Sequence, residues 1–199
     1  MIFKQETQIL KCTFEKEHFS KVKAAFKDRW PVVYIIEDDE KGQAYIGEST
    51  NICTRICDHW NNTERRALKN IYIIFNKVFN KSVILDLEAF LIGYIVADAK
   101  YRLQNGNGGQ HVHNYYLRDE YQREFRHIWQ LLQDEGVVRH GITLLENQDL
   151  FKYSPYKILN LDQFNVAVQI LTDLKSDLGN NNQSRSFIID GGAGTGKSI

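Results

Sequence analysis

The sequence contains few of the residues that mark secreted or zinc-binding proteins. Among its 199 residues are three cysteines, two prolines and one methionine. An odd number of scattered cysteines does not suit a secreted disulfide framework, so we expect a reducing, cytoplasmic environment. Cys53 and Cys57 would lie side by side on a helix, but no second pair of ligands accompanies them, which argues against zinc.

Two further absences concern membranes and overall charge. No apolar run reaches the length of a membrane-spanning helix, and the N-terminal MIFKQETQ lacks the pattern of a signal peptide. We therefore expect no membrane partner. The 25 basic and 25 acidic residues cancel, so composition alone carries no signal for nucleic-acid binding, and any such signal has to come from local placement.

The residues that are present can form a substantial core, since 43% are hydrophobic and 12% are aromatic. The chain is long enough for one domain and part of another. Its alternating strand and helix patterns predict a mixed α/β (α+β) fold. We expect an N-terminal strand and helix at 1–30, a first domain at 31–118, a helical connector at 119–158 and the start of a second domain at 159–199.

The first domain begins with the patterns of a hairpin and a helix. Two short strands rich in β-branched and aromatic residues, joined by a charged turn with a glycine, predict the hairpin. A run of favoured N-cap residues from Ser49 to Asn51 predicts the start of the helix. A third strand and a long helix follow. These elements are expected at 32–36, 44–47, about 49–60, 71–75 and 83–101.

Four polar or aromatic side chains lie close together in these segments. Tyr34 and Tyr45 occupy the two strands of the hairpin, and Arg55 and His59 are one turn apart on one face of the next helix. Taken singly, each suits an ordinary core or a solvated helix. Taken together they suit phosphodiester hydrolysis, because a phenol can relay a proton and an arginine can clamp phosphate oxygens with its planar fork.

Glu88, on the long helix, is the candidate metal ligand. It shares a stripe with apolar residues such as Leu91 and Ile95, where an unpartnered carboxylate is costly. Mg²⁺ (or Mn²⁺) commonly needs only one or two protein carboxylates. The alternative is an acid in the first turn that complements the helix dipole. Asp86 points elsewhere on the helix and ranks second.

Together these residues resemble the motifs of the GIY-YIG nuclease family over about residues 30–118. The resemblance is carried by VVY, by AYIGEST and then by the pair Arg55 and His59. It implies a small three-stranded antiparallel sheet flanked by helices, and cleavage of DNA with one divalent metal ion. By the same resemblance Tyr34 would be the general base or a water-positioning phenol, assisted by Tyr45 and His59. Arg55 would stabilise the phosphate, and Glu88 would hold the metal.

Other positions of the family pattern are matched less closely. An asparagine that usually follows the long helix matches Asn105 or Asn107, and Asn105 is the preferred catalytic candidate. Val32 and Val33 stand where the family usually has Gly-Ile, although Tyr34 is kept. Glu48 stands where some members have a lysine, which removes one potential phosphate contact.

A second motif, GGAGTGKS (191–198), follows the strand-like FIID and fits the phosphate-binding loop G-x-x-x-x-G-K-[ST]. In such a loop backbone N–H groups cradle the phosphates of ATP, while Lys197 would reach the β- and γ-phosphates and Ser198 would ligate Mg²⁺. The predicted nucleotide-binding residues are Gly191, Gly194, Gly196, Lys197 and Ser198.

Because the chain stops at Ile199, we expect a truncated loop that cannot work as an ATPase by itself, and a parent protein that continues into the motor. The segment LDQFNVAVQIL resembles the lead-in of superfamily-1-type helicases. The whole chain thus resembles the front of a Schlafen-related fusion between a GIY-YIG nuclease and a helicase-like ATPase. That architecture implies defence against foreign or phage DNA.

Two functions are therefore predicted. The leading one is a metal-dependent endonuclease that acts on DNA, with RNA left open, N-terminal to an ATP-dependent motor. The alternative is a catalytically inactive nucleic-acid-binding or docking module that serves the ATPase. Arg65, Arg66 and Lys69 form a basic cluster that fits either contact with a nucleic-acid backbone or a solvated helix end. The sequence does not predict the oligomeric state.

Overall fold

The computed structural model describes residues 7–26, 29–106, 109 and 114–148, with 166, 169, 170 and 188 as isolated positions. The phosphate-loop motif at 191–198 lies outside the described residues, as does Asn107. The predicted second domain at 159–199 is described only at those isolated positions. The described residues thus lie mainly in the predicted N-terminal extension, the predicted first domain and the predicted connector.

The described part of the chain forms a five-stranded sheet in the order β1–β4–β2–β3–β5. The strands are β1 (Gln8–Thr13), β2 (Val32–Asp38), β3 (Gln43–Ser49), β4 (Asn70–Phe75) and β5 (Arg102–Leu103). All neighbours are antiparallel except β3 and β5, which are parallel. The predicted mixed α/β fold is confirmed, and the three strands expected for the antiparallel sheet form its centre.

Helices cover both faces of this sheet. They are α1 (Phe19–Ala25), α2 (Ile52–Asn61), α3 (Thr63–Arg66), α4 (Lys81–Asp98), α5 (Arg118–Asp134) and α6 (Ile142–Glu146). Successive side chains of a strand point to opposite faces, so β2 sends Val33 and Ile35 towards α4 and sends Tyr34 and Ile36 towards α1 and α2. This two-sided burial explains why β2 is apolar without alternation. None of the helices in the described part is long and apolar enough to cross a membrane.

Two asparagines set the path of the chain from β3 through α2 to α3. The side chain of Asn51 accepts a hydrogen bond from the backbone of Thr54, so it caps α2 as predicted. Asn62 ends α2 and at the same time caps α3, because its side-chain oxygen accepts from the backbone N–H groups of Glu64 (3.1 Å) and Arg65 (3.0 Å). The chain therefore turns sharply and returns Arg65 to the last turn of α2.

On the other face, the buried carboxylate of Asp98 fixes the loop between α5 and α6. It accepts hydrogen bonds from the backbone N–H of Arg139 (2.9 Å), the backbone N–H of His140 (2.7 Å) and the His140 ring at Nδ1 (2.9 Å). A carboxylate that accepts several N–H groups in a buried setting satisfies donors that would otherwise be unpaired. This contact connects the C-terminal end of α4 to the segment that follows α5.

We expect the substitution Asp98→Asn to lower the free energy of unfolding by about 1–3 kcal/mol. The amide NH₂ group of asparagine would face the N–H donors of Arg139 and His140, which need an acceptor. Urea denaturation monitored by circular dichroism measures the change. Asp134→Asn, which alters an exposed carboxylate on α5 that accepts from Gln130, is the matched control and should change little. Equal stabilities of the two variants would contradict the structural role of Asp98.

Candidate active site at the end of β3

A close approach between β2 and β3 lies at the centre of the candidate site. Tyr34 of β2 pairs directly with Gly47 of β3. A Cβ atom at position 47 would lie 2.4 Å from the Tyr34 Oη atom and 2.6 Å from its Cζ atom, distances that no packed side chain tolerates. The glycine therefore leaves room for the phenol to lie across β3, which gives the motif glycine a physical reason.

The two predicted tyrosines and the predicted histidine form one aromatic cluster. The ring centroid of His59 lies 4.8 Å from that of Tyr45 and 5.5 Å from that of Tyr34, and the two tyrosine rings are 6.3 Å apart. The Tyr34 hydroxyl and His59 Nε2 are 2.6 Å apart, within a hydrogen bond. All three side chains are buried, and Tyr34 is fully so. The structure thus brings together three of the predicted site residues.

Arg55 approaches this cluster from the solvent side. Arg55 is exposed to solvent, whereas Tyr34 and His59 are buried. Burial raises the pKa of the Tyr34 phenol well above its ordinary value, and Tyr45 adds to this, while the charge and the hydrogen bond of Arg55 oppose it. The Arg55 guanidinium is therefore close enough to act on the Tyr34 hydroxyl, and Tyr34 is a neutral phenol at pH 7.

The His59 imidazole is neutral as well. Burial, and to a smaller extent the positive charges of Arg65 and then Arg55, together lower the pKa of His59 to about 3. A guanidinium nitrogen of Arg65 lies 2.9 Å from His59 Nδ1, and the Arg65 Cζ atom lies 3.9 Å above the centre of the Tyr45 ring. Arg65 is not among the site residues predicted from the sequence, because its contact depends on the turn at Asn62.

Glu88 reaches the same place from α4, on the other face of the sheet. Burial and then repulsion from Glu48 raise the pKa of Glu88, while Lys81, Arg55 and a hydrogen bond with the Glu48 backbone oppose them, and the net pKa is about 7. The Lys81 ammonium group lies 2.5 Å from a carboxylate oxygen of Glu48. Glu88 is thus a half-buried carboxylate close to the carboxylate of Glu48 and to the positive charges of Lys81 and Arg55.

Asn105 and Glu88 both act on the outer edge of β3. β5 pairs with only the first two residues of β3, Gln43 and Ala44. Further along, the Asn105 side chain accepts from the backbone N–H of Ile46 (3.0 Å) and donates to its carbonyl (2.8 Å). Two residues on, Glu48 turns its backbone N–H and C=O groups to the same edge as Ile46. Glu88 forms a hydrogen bond with the backbone of Glu48 there. Asn105 therefore holds the strand on which the site is built.

Asp86, the second-ranked carboxylate, has a different environment. It accepts hydrogen bonds from the Tyr115 hydroxyl (2.9 Å) and the Gln122 amide (2.6 Å), and Arg118 lies 3.7 Å away. These contacts join α4 to the start of α5. Within the described residues, no group of three or more His, Cys, Asp or Glu side chains is arranged to hold a metal ion.

Residues 31–102, from just before β2 to the start of β5, match the family model described as the GIY-YIG catalytic domain. No curated protein and no solved structure matches the chain. The nuclease-family interpretation is confirmed for this segment, and the match ends well before the phosphate-loop motif at 191–198.

We expect Gly47→Ala to displace the Tyr34 ring, because the added methyl group meets the phenol and not the end of a flexible side chain. The free energy of unfolding should fall by about 1–3 kcal/mol. Gly93→Ala on α4 is the control, since no atom lies within 4 Å of the added carbon, and it should be neutral or stabilising by up to about 1 kcal/mol. Urea titration of both variants measures the free energy of unfolding. A Gly47→Ala protein as stable as wild type would contradict the close approach of Tyr34 to Gly47.

The His59 pKa also predicts a pH dependence of stability. Between pH 6.5 and about 3 the unfolded chain binds a proton at His59 that the folded protein does not, so His59 makes the folded protein less stable as the pH falls. His59→Gln should therefore show a smaller loss of unfolding free energy between pH 7 and pH 4 than wild type. His127→Gln, at an exposed position of α5, should keep the wild-type pH profile. Parallel profiles for wild type and His59→Gln would rule out a buried neutral histidine.

Proposed function

We propose that the protein is a metal-dependent endonuclease that hydrolyses phosphodiester bonds in DNA. The observation that supports this most strongly is the approach of three groups at the end of β3. These groups are the neutral phenol of Tyr34, the exposed guanidinium of Arg55 and the half-buried carboxylate of Glu88. Arg55 lowers the pKa of both Tyr34 and Glu88, and Glu88 contributes to the raised pKa of Tyr34. A proton-handling group, a phosphate clamp and a metal ligand are what phosphodiester hydrolysis requires.

For Tyr34 the two alternatives were a general base and a water-positioning phenol. Its raised pKa favours the second, since a phenol that stays protonated at pH 7 does not take a proton from water at rest. We assign Tyr34 to orient the attacking water or a phosphate oxygen through its hydroxyl group. Tyr45 and His59 hold the phenol in place by packing and by the bond to His59 Nε2.

Arg55 is assigned to the phosphate. Its guanidinium has only donors, in a planar fork that matches two phosphate oxygens, and it carries its charge at every relevant pH. Burial alone would lower the pKa of Arg55, but Tyr34, Tyr45 and Asp58 raise it above its ordinary value. Because the residue is exposed while its hydroxyl partner is buried, a DNA backbone can reach Arg55 without opening the core.

The donor set suits a divalent cation held by one carboxylate. Glu88 is half buried beside a second carboxylate, and this combination raises its pKa, so a cation there would relieve a repulsion that the fold maintains. Mg²⁺ is often held by one or two carboxylates and water. Bound at Glu88, Mg²⁺ or Mn²⁺ supplies stabilisation of the negative charge that develops on the phosphate. Glu88 has to be ionised for this, which its surroundings permit near neutral pH.

The wider proposal concerns the rest of the chain. We propose that residues 191–198 bind ATP through Lys197 and Ser198, and that the nuclease serves a helicase-like motor of the Schlafen-related type in defence against foreign DNA. The support is the motif GGAGTGKS after FIID and the lead-in LDQFNVAVQIL. DNA is favoured over RNA by the family resemblance alone.

The nuclease proposal is tested by incubating the 199-residue protein with Mg²⁺ or Mn²⁺ and with plasmid, linear or single-stranded DNA. Cleavage is expected only with the metal. Tyr34→Phe, Arg55→Ala and Glu88→Ala should each lower the rate by roughly 10²–10³-fold, because each removes a group that acts on the reacting phosphate. Gel electrophoresis of the plasmid forms gives the rates.

Matched controls separate chemistry from folding. Tyr101→Phe removes a buried phenol bonded to Glu37, Arg123→Ala an exposed arginine on α5 and Glu64→Ala an exposed acid on α3, and none should lower the rate more than about threefold. Cleavage that survives all three site substitutions would overturn the assignment of the site. DNA binding without cleavage under any metal condition would instead support the alternative, a catalytically inactive binding or docking module.

A further inference from the structure

Arg65 holds a place in the site that its sequence position does not suggest. It lies at the end of the short helix α3, and the Asn62 cap fixes its backbone by accepting the Arg65 N–H at 3.0 Å. From there its guanidinium covers the Tyr45 ring at 3.9 Å and reaches His59 Nδ1 at 2.9 Å. The cap thus fixes the Arg65 backbone, while a cation–π contact and a hydrogen bond hold its half-buried side chain.

The chemistry of these partners fixes the hydrogen positions. A guanidinium group carries only donors, so in its bond with Arg65 the Nδ1 atom of His59 has to accept. A neutral imidazole carries one proton, which then sits on Nε2. Nε2 lies 2.6 Å from the Tyr34 hydroxyl oxygen, so His59 donates and Tyr34 accepts.

We propose that Arg65 is a positioning residue that fixes His59 as its Nε2–H tautomer and thereby directs the Tyr34 hydroxyl proton away from His59. The oxygen of Tyr34 accepts from His59, and its own proton is left for an acceptor on the side of Arg55 and Glu88. Arg55 is a donor only, so that acceptor is the Glu88 carboxylate, water or a phosphate oxygen. His59 in this tautomer holds the phenol and does not receive its proton.

The proposal deepens the proposed function, since its consequence for catalysis rests on the nuclease reaction. The reverse arrangement, with Nδ1 protonated, would leave Nε2 as an acceptor that turns the phenol proton inward. Arg65 excludes that arrangement because two donors would then face each other. The single contact at Nδ1 therefore decides whether Tyr34 offers a proton to the substrate side.

The test is nitrogen-15 NMR of the imidazole groups in the full 199-residue protein. Wild type should show His59 with an unprotonated Nδ1 and a protonated Nε2. Arg65→Met, which keeps the aliphatic stem but removes the donor, should show a mixture of tautomers. Arg65→Lys, which restores a cationic donor, should return the signals towards wild type, and Arg123→Met on α5 should leave them unchanged.

Kinetics give the second readout. Arg65→Met should lower kcat for DNA cleavage by roughly tenfold with little change in KM, since a positioning residue does not touch the DNA. A wild-type His59 protonated at Nδ1, or an Arg65→Met protein with unchanged His59 signals, would overturn the proposal. The NMR result does not depend on cleavage, so a protein with the expected tautomer and no nuclease activity would refute the proposed function while the positioning role stands.

Discussion

The pairing of Tyr34 with Gly47 is the constraint on which the site depends. Without a side chain at position 47, the phenol lies flat across β3 and its hydroxyl emerges next to the last turn of α2. In that position the Tyr34 hydroxyl lies 2.6 Å from His59 Nε2 and forms a hydrogen bond with Arg55 on the solvent side. A larger residue at 47 would push the ring off the strand, and the contacts with α2 would be lost together.

The residues of the candidate site fall into a buried aromatic group and a group that solvent reaches. Tyr34 and Tyr45 belong to the core between the sheet and α2, and His59 is buried beside them, so their positions are fixed by packing. Arg55 and Glu88 lie at the margin of this core, since Arg55 is exposed and Glu88 is half buried. Because the core part carries no net charge, the electrostatics of the site come from the marginal residues and from Arg65.

Local signals made much of this predictable from sequence. The β-branched runs predicted the strands, and the N-cap candidates Ser49 to Asn51 predicted the start of α2, which Asn51 caps. The four-residue spacing of Arg55 and His59 predicted that they share one face of that helix. Arg65, by contrast, joins the site only because Asn62 ends one helix and caps the next. A sequence pattern can identify a cap residue such as Asn62. It does not predict which side chain the resulting turn places in the site.

The carboxylate environment was also beyond sequence reasoning. The contacts of Glu88 with Glu48 and of Glu48 with Lys81 join α4 to β3 across more than thirty residues of chain. Asp86, two residues from Glu88, turns to Tyr115 and Gln122, which is the direction expected from helical geometry. The expected three-stranded sheet was extended at both edges, because β1 pairs with β4 and β5 pairs with the start of β3.

The side-chain bonding along β3 has a consequence for how the protein behaves at high concentration. An exposed strand edge would normally invite pairing with the edge of another molecule. Here the Asn105 amide imitates a neighbouring peptide group at Ile46, and Glu88 adds a negative charge at Glu48. Backbone groups of Ile46 and Glu48 that a further strand would pair with are thus already occupied by side chains, which makes this part of the edge a poor template for aggregation.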